Sequence, residues 1–131
     1  MAANSLSDFL EDSILDLVLR GVPYTGGANI YVALFNTPTD DGSGGVEVVG
    51  GSYTRVIVGG FDPPTSGVTT NSSTVQFPTA TASWGTLTHM ALYDAIVGGN
   101  RLCHGPLTVP KPLNAGDTFS LPPGNITVSM D

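Results

Sequence analysis

The sequence predicts a mainly β protein, an antiparallel β-sandwich of seven to eight strands, jelly-roll-like or Ig-like, with one N-terminal α-helix. Three observations predict it. Gly (17) and Pro (10) are abundant, as many tight turns require. Charged residues make up only 11% of the 131 residues, well below the roughly 25% of an ordinary soluble domain, so Ser, Thr and Asn supply most of the polar surface. The apolar residues stand in short separate blocks, too numerous for a disordered chain. The length suits a single domain over residues 1–131, with a helix over 5–20 and strands over 29–131.

The helix is read first. Ser5-Leu6-Ser7-Asp8 offers a capping-box start, with Ser7 as an alternative cap. Leu6, Phe9, Leu10, Ile14, Leu17 and Val18 recur at helical spacing, opposite Asp8, Glu11, Asp12 and Asp16. Gly21 suits a left-handed stop, and Pro23 forbids continuation. The apolar stripe is expected either to pack under the sandwich or to reach a neighbouring subunit.

The strands follow in order. Asn29–Asn36 carries apolar side chains on both faces, the mark of a strand covered on both sides. Thr37–Gly45 reads as a flexible, solvated acidic loop. Ser52–Val58 alternates, with Tyr53 and Arg55 on one face and Val56 and Val58 on the other. Gly59–Pro64 is a turn or irregular crossing. Val68–Phe77 and Thr86–Tyr93 are strands, joined by a Pro/Thr/Ala corner around Trp84. A hairpin turns at Gly98-Gly99-Asn100 into Arg101–Gly105. Val109–Pro112 reads as a rigid linker. Asn114–Asp117 turns into Thr118–Leu121, and Pro122-Pro123-Gly124 turns into Ile126–Asp131, where Ile126, Val128 and Met130 share a face.

Candidate chemistry is sparse. His89 and His104 are the two histidines, and neither has metal-ligand spacing. Cys103 and His104 are neighbours that a strand sends to opposite faces, so they form no nucleophile pair, and Cys103 reads as a small apolar filler. Asp40–Gly45 lacks the alternating ligands and terminal Glu of a calcium loop. Glu47, Asp62, Asp94 and Asp117 lie at strand edges without a pairing that marks a glycosidase. Glycine-rich segments lack a phosphate-binding G-x-x-x-x-G-K pattern. Tyr24, Tyr31, Tyr53, Trp84 and Tyr93 either form a sugar-stacking patch or serve as core residues with wet hydroxyls, and the core reading is preferred. No catalytic, cofactor-binding or metal residue is assigned, and no cofactor is expected.

The net charge of −7 rests on four bases, Arg20, Arg55, Arg101 and Lys111. Such a chain is repelled by phosphate backbones and anionic lipid, so no nucleic-acid partner is expected. No secretory signal and no membrane span are expected. A surface poor in Lys and rich in Ser, Thr and Gly loses little on burial in a protein contact.

Several blocks together carry a resemblance: the N-terminal helix, Ile30–Phe35, Gly50-Gly51-Ser52-Tyr53-Thr54-Arg55, Phe77–Asp94, His104-Gly105-Pro106-Leu107 and Asn114–Phe119. Over nearly the whole chain they resemble a family of small tailed-bacteriophage virion proteins, usually described as phage tail-fibre proteins. The resemblance implies a non-enzymatic particle component, assembled in the bacterial host cytoplasm and docking on other phage virion proteins of capsid or tail. A homo-oligomer is expected, a trimer preferred. With no heptads or shaft repeats, one sandwich about 35–40 Å long serves as a tip, an adaptor or a surface knob. Capsid decoration (cement) proteins are similarly compact. The alternatives are a host-receptor module binding glycan at a fibre tip and, least favoured, a small glycan hydrolase.

Overall fold

The computed structural model describes residues 2, 3 and 5–130, of residues 2 and 3 the backbone alone. The chain runs β1 (Ala2–Ala3), β2 (Ser5–Leu6), α1 (Asp8–Leu15), a π-helical turn (Asp16–Arg20), β3 (Tyr31–Phe35), β4 (Val56–Ile57), β5 (Val68–Thr70), β6 (Val75–Gln76), β7 (Gly85–Tyr93), β8 (Arg101–Leu113), β9 (Ser120–Leu121) and β10 (Thr127–Ser129). It is thus mainly β with one N-terminal helix. The strands form a five-stranded antiparallel sheet in the order β2-β8-β7-β3-β4, a three-stranded sheet β1-β10-β5 and a two-stranded sheet β6-β9.

Strand β3 is flanked on both sides and four of its five residues are buried, as its two-faced apolar pattern requires. Val32 and Leu34 join Leu87, Met90 and Leu92 of β7, and Cys103 and Leu107 of β8, in the main core. Val75, Leu121 and Ile126 enter the same core from the small sheets or beside them, with Phe77 and Phe119 between. Ala33 and Phe35 point the other way and pack with Ala91 and Tyr93.

The corner after Phe77 closes as its small residues allow. Trp84 is 3% exposed and donates its indole N–H to the Gly51 carbonyl at 2.9 Å. Gly51 has φ +57°, and a Cβ there would lie 2.8 Å from the indole nitrogen, so this close approach needs glycine.

Several expectations are corrected. The helix does not start at Ser5. Residues 5–6 pair with β8, and Ser7 caps α1, its hydroxyl accepting from Leu10 N–H at 3.2 Å. The same hydroxyl donates to the Arg101 carbonyl, so tying Ser7 to the sheet fixes the start. Gly21 ends the element in the left-handed conformation, at φ +70°. The expected Val68–Phe77 strand is split into β5 and β6, because Asn71 turns its side chain inward between them. Ser52–Val58 keeps only two ladder residues, as β4. Val109–Pro112 is no linker but part of the long β8. Met130 is 51% exposed instead of sharing the burial of Ile126, and Asp131, the expected end of that strand, lies outside the described residues.

The outer edge of β8 explains its prolines. Leu102 turns its carbonyl outward, to Ser7 N–H, whereas Leu113 turns its carbonyl inward, to Trp84 N–H. By the two-residue period, Pro106 and Pro112 therefore stand where an outward N–H would be, and β2 covers this edge only at Cys103 and His104.

Candidate functional site

Two features stand out from this frame: a network of charges on the second face of the large sheet, and an uncovered apolar helix end. The network starts from Tyr53 and Arg55, just before β4, the first packed against the main core and the second over Tyr93 on the other face. Both converge on Glu47. Tyr53 donates to its carboxylate at 2.7 Å and accepts from Leu34 N–H at 3.0 Å. Arg55 forms a fork of two bonds to Glu47, at 3.0 and 2.9 Å, and donates to the Ala95 and Gly98 carbonyls. Its guanidinium lies 3.8 Å from the centre of the Tyr93 ring. Burial, with the bond to Glu47, raises the Tyr53 phenol well above its ordinary value.

Arg101 repeats the arrangement. It donates to the Tyr93 hydroxyl and to the carbonyls of Asp40 and Gly44, at 2.8 to 3.1 Å. His104 follows on the same face. Its Nε2 lies 2.8 Å from an Asp41 carboxylate oxygen, and its Nδ1 shares a 2.8 Å hydrogen bond with Thr39. A neutral imidazole satisfies both, donating to Asp41 and accepting from the threonine hydroxyl. The loop expected to be free and solvated is therefore pinned to the sheet by Arg101 and His104. Asp40 also accepts from Gly44 and Gly42 N–H, bonds that hold its carboxyl below the ordinary range.

The hairpin tip is held in the same manner. Asp94 accepts from Asn100 N–H at 2.6 Å, the Asn100 amide at 2.9 Å and Gly27 N–H at 3.2 Å. Burial pulls the Asp94 carboxyl up, but these bonds outweigh it and hold it below its ordinary 3.8. A depressed folded value contributes stability above the unfolded one, and that contribution is lost as pH falls through the folded value. The protection of the Asn100 and Gly27 amides, measured against their intrinsic exchange rates, is accordingly expected to fall below pH 3.8, and to be lower at neutral pH in Asp94→Ala. Unchanged protection in that variant would refute this role.

Among the described residues, every buried side-chain nitrogen and oxygen has a partner, and no three His, Cys, Asp or Glu side chains gather as a metal site. Cys103 faces the main core while His104 faces the other way, and burial pushes its thiol up to about 12. His89 bonds Thr88, and burial, with His104 nearby, lowers its imidazole below 6.5. Asp62 accepts from Thr70, and Asp117 caps the Asn114 turn. The aromatics do not form a solvent platform, since Tyr53, Trp84 and Phe77 pack on one another.

The helix end is the opposite case. No residue of α1 or the π-turn is buried, and from Leu17 to Thr25 every residue is exposed. Leu15 is 55%, Val18 71% and Leu19 75% exposed. Of the apolar stripe that the pattern forecast, Phe9, Leu10 and Ile14 are partly covered, whereas Leu17 and Val18 are exposed, and so are Leu15 and Leu19, which the stripe did not include.

The match to known proteins now decides the family. Residues 5–129 match the family described as Podophage GP4 fiber I protein gp80. The chain belongs to that family. No curated protein matches it. As a member of a podophage fibre family, this protein is a structural, non-enzymatic component of the virion tail fibre, and the family implies association with other tail proteins. Sequence reasoning missed the network because Arg101 and His104 lie about 60 residues from the loop they hold, and Glu47 meets Arg55 only across an irregular connection. One signal was present: in a chain with four bases, three are arginine, the cation suited to buried forks.

Proposed function

We propose that this fibre protein is an oligomeric building unit, a compact sandwich-like module whose N-terminal helix ties one copy to the next. The observation that carries the reading is the helix end, with Leu15, Val18 and Leu19 open to solvent. By fractional exposure, the apolar residues from Leu15 to Tyr24 leave on the order of 500 Å² uncovered, near the upper limit for a monomer's largest patch. A trimer is preferred because three is the smallest ring in which each copy gives to one neighbour and receives from another.

The experiment is light scattering on the full chain and on a Leu15→Ser, Val18→Ser, Leu19→Ser variant. The native protein is expected to run as an oligomer and the variant at the 13.4 kDa of one chain. The variant's thermal unfolding as a monomer is expected to stay cooperative, since these side chains pack on nothing within the chain. A native protein that stays at one chain mass at every concentration overturns the reading.

A glycan-reading fibre tip has less support. Of the aromatic residues it needs, Trp84 and Tyr93 are buried and Tyr53 packs against the core, so only Tyr24 stands exposed among them. The fibre match gives no support to a capsid-decoration role.

A further inference from the structure

A groove opens beside the root of α1, about 290 Å³ in volume. Leu10, Ile30, Phe61, Leu102 and Val128 wall it, and Asp62 stands at its exposed rim. Resting on the oligomer reading above, we propose that this groove receives the Leu15–Arg20 segment of a second copy of this chain.

Size, reach, area and charge support that occupant. The volume is about twice the ~150 Å³ left by deleting one large aliphatic side chain, so two leucine-sized groups fit. The chain's own tail does not reach it. Leu10 forms a wall of the groove, and Leu15 and Leu19 lie roughly 7 Å or more further along the helix axis, open to solvent. Set in the groove, the tail covers part of the roughly 500 Å² of apolar surface that it otherwise leaves to water. Charge agrees with this pairing. Arg20 is the exposed arginine of the chain, held within its own helix only by a solvent-facing bond to Asp16, a contact worth about 0.5 kcal/mol or less. Asp62 has no cation partner among the described residues. Leu15 and Leu19, one turn apart on the same side of the helix, entering the groove bring Arg20 to its rim, where the two charges pair.

The contact joins two different surfaces, so it differs from helices that meet tail to tail. Two single-cysteine proteins separate these arrangements, both in a Cys103→Ala background: one carries Leu19→Cys, the other Asp62→Cys. Each is oxidised alone and in an equimolar mixture with a mild disulfide exchanger, and light scattering is recorded for each. The expected result is a covalent species of twice the 13.4 kDa chain mass in the mixture, absent or several-fold weaker in either protein alone. Oligomers whose Leu19→Cys protein cross-links with itself overturn the groove while leaving the oligomer reading standing. Oligomers with no cross-link in any sample also overturn the groove. Monomers in every sample remove both. As an independent check, Asp62→Arg is expected to weaken association at least tenfold, and Arg20→Asp combined with Asp62→Arg to recover it, while a double variant as weak as the single one rejects the charge pairing.

Discussion

Asn71→Asp is expected to lower stability by about 4 kcal/mol, close to the effect of Asn71→Ala, despite conserving the size and shape of the side chain. Asn71 is 0% exposed and joins three segments. Its amide nitrogen donates to the carbonyls of Ser73, Pro122 and, at 3.4 Å, Leu121. Its side-chain oxygen accepts from Ile126 N–H at 2.8 Å, and its backbone bonds Ile126 and Gly124. An aspartate keeps the bond to Ile126 but turns a donor among carbonyls into an acceptor, in a place without water to relieve it. Alanine keeps neither and leaves the Ile126 N–H unpaired. For a chain of this length the loss corresponds to a fall in Tm of roughly 15 °C. Thermal and denaturant unfolding followed by Trp84 fluorescence check it. A loss below about 1 kcal/mol for Asn71→Asp would show that the carbonyls find other donors.

The second large effect is expected at Phe77. It is 1% exposed and lies among Tyr53 (6.2 Å between ring centres, near-parallel), Trp84 (6.3 Å, edge-on) and Phe119 (5.9 Å, tilted). Phe77→Ala is expected to cost about 3–5 kcal/mol, the sum of lost transfer energy and the void left behind. The damage is also expected to travel. Tyr53 stacks on Phe77 and bonds both Leu34 and Glu47, so a tilted Tyr53 loosens the fork that holds Arg55. Near-ultraviolet circular dichroism should fall together with stability, and Phe77→Leu should recover more than half of the loss. A Phe77→Ala protein with native aromatic signals and a loss under about 1 kcal/mol would mean that the ring cluster is not a unit.

What could be read directly was what depends on near neighbours in the chain. The Ser7 cap, the Gly21 stop, the two-faced Ile30–Phe35 block, the hairpin at Gly98–Asn100 and the opposite facing of Cys103 and His104 all follow from local spacing. Arrangements set by partners far along the chain were not legible. Asn71 looks like any turn asparagine until Pro122 and Ile126 arrive beside it. Asp40 and Asp41 are solvated as expected, but their loop looks free until Arg101 and His104 come under it. Val109–Pro112 looks like a linker because proline usually ends a strand. It is tolerated here because the β7-facing position, Leu113, still supplies a carbonyl to Trp84. The helix was legible as amphipathic, but its periodicity carries no information on whether the apolar side meets its own chain or another.

The prolines along the outer margin of the longest strand bear on how the protein survives its own production. A bare strand margin invites any extended segment to zip onto it, most of all while a viral protein accumulates in a crowded host cell. Here such a newcomer finds donors missing where a ladder needs them, and stacking stalls after a residue or two. Polymerisation through backbone pairing is hindered on that flank, so a contact made there has to rest on side-chain fit.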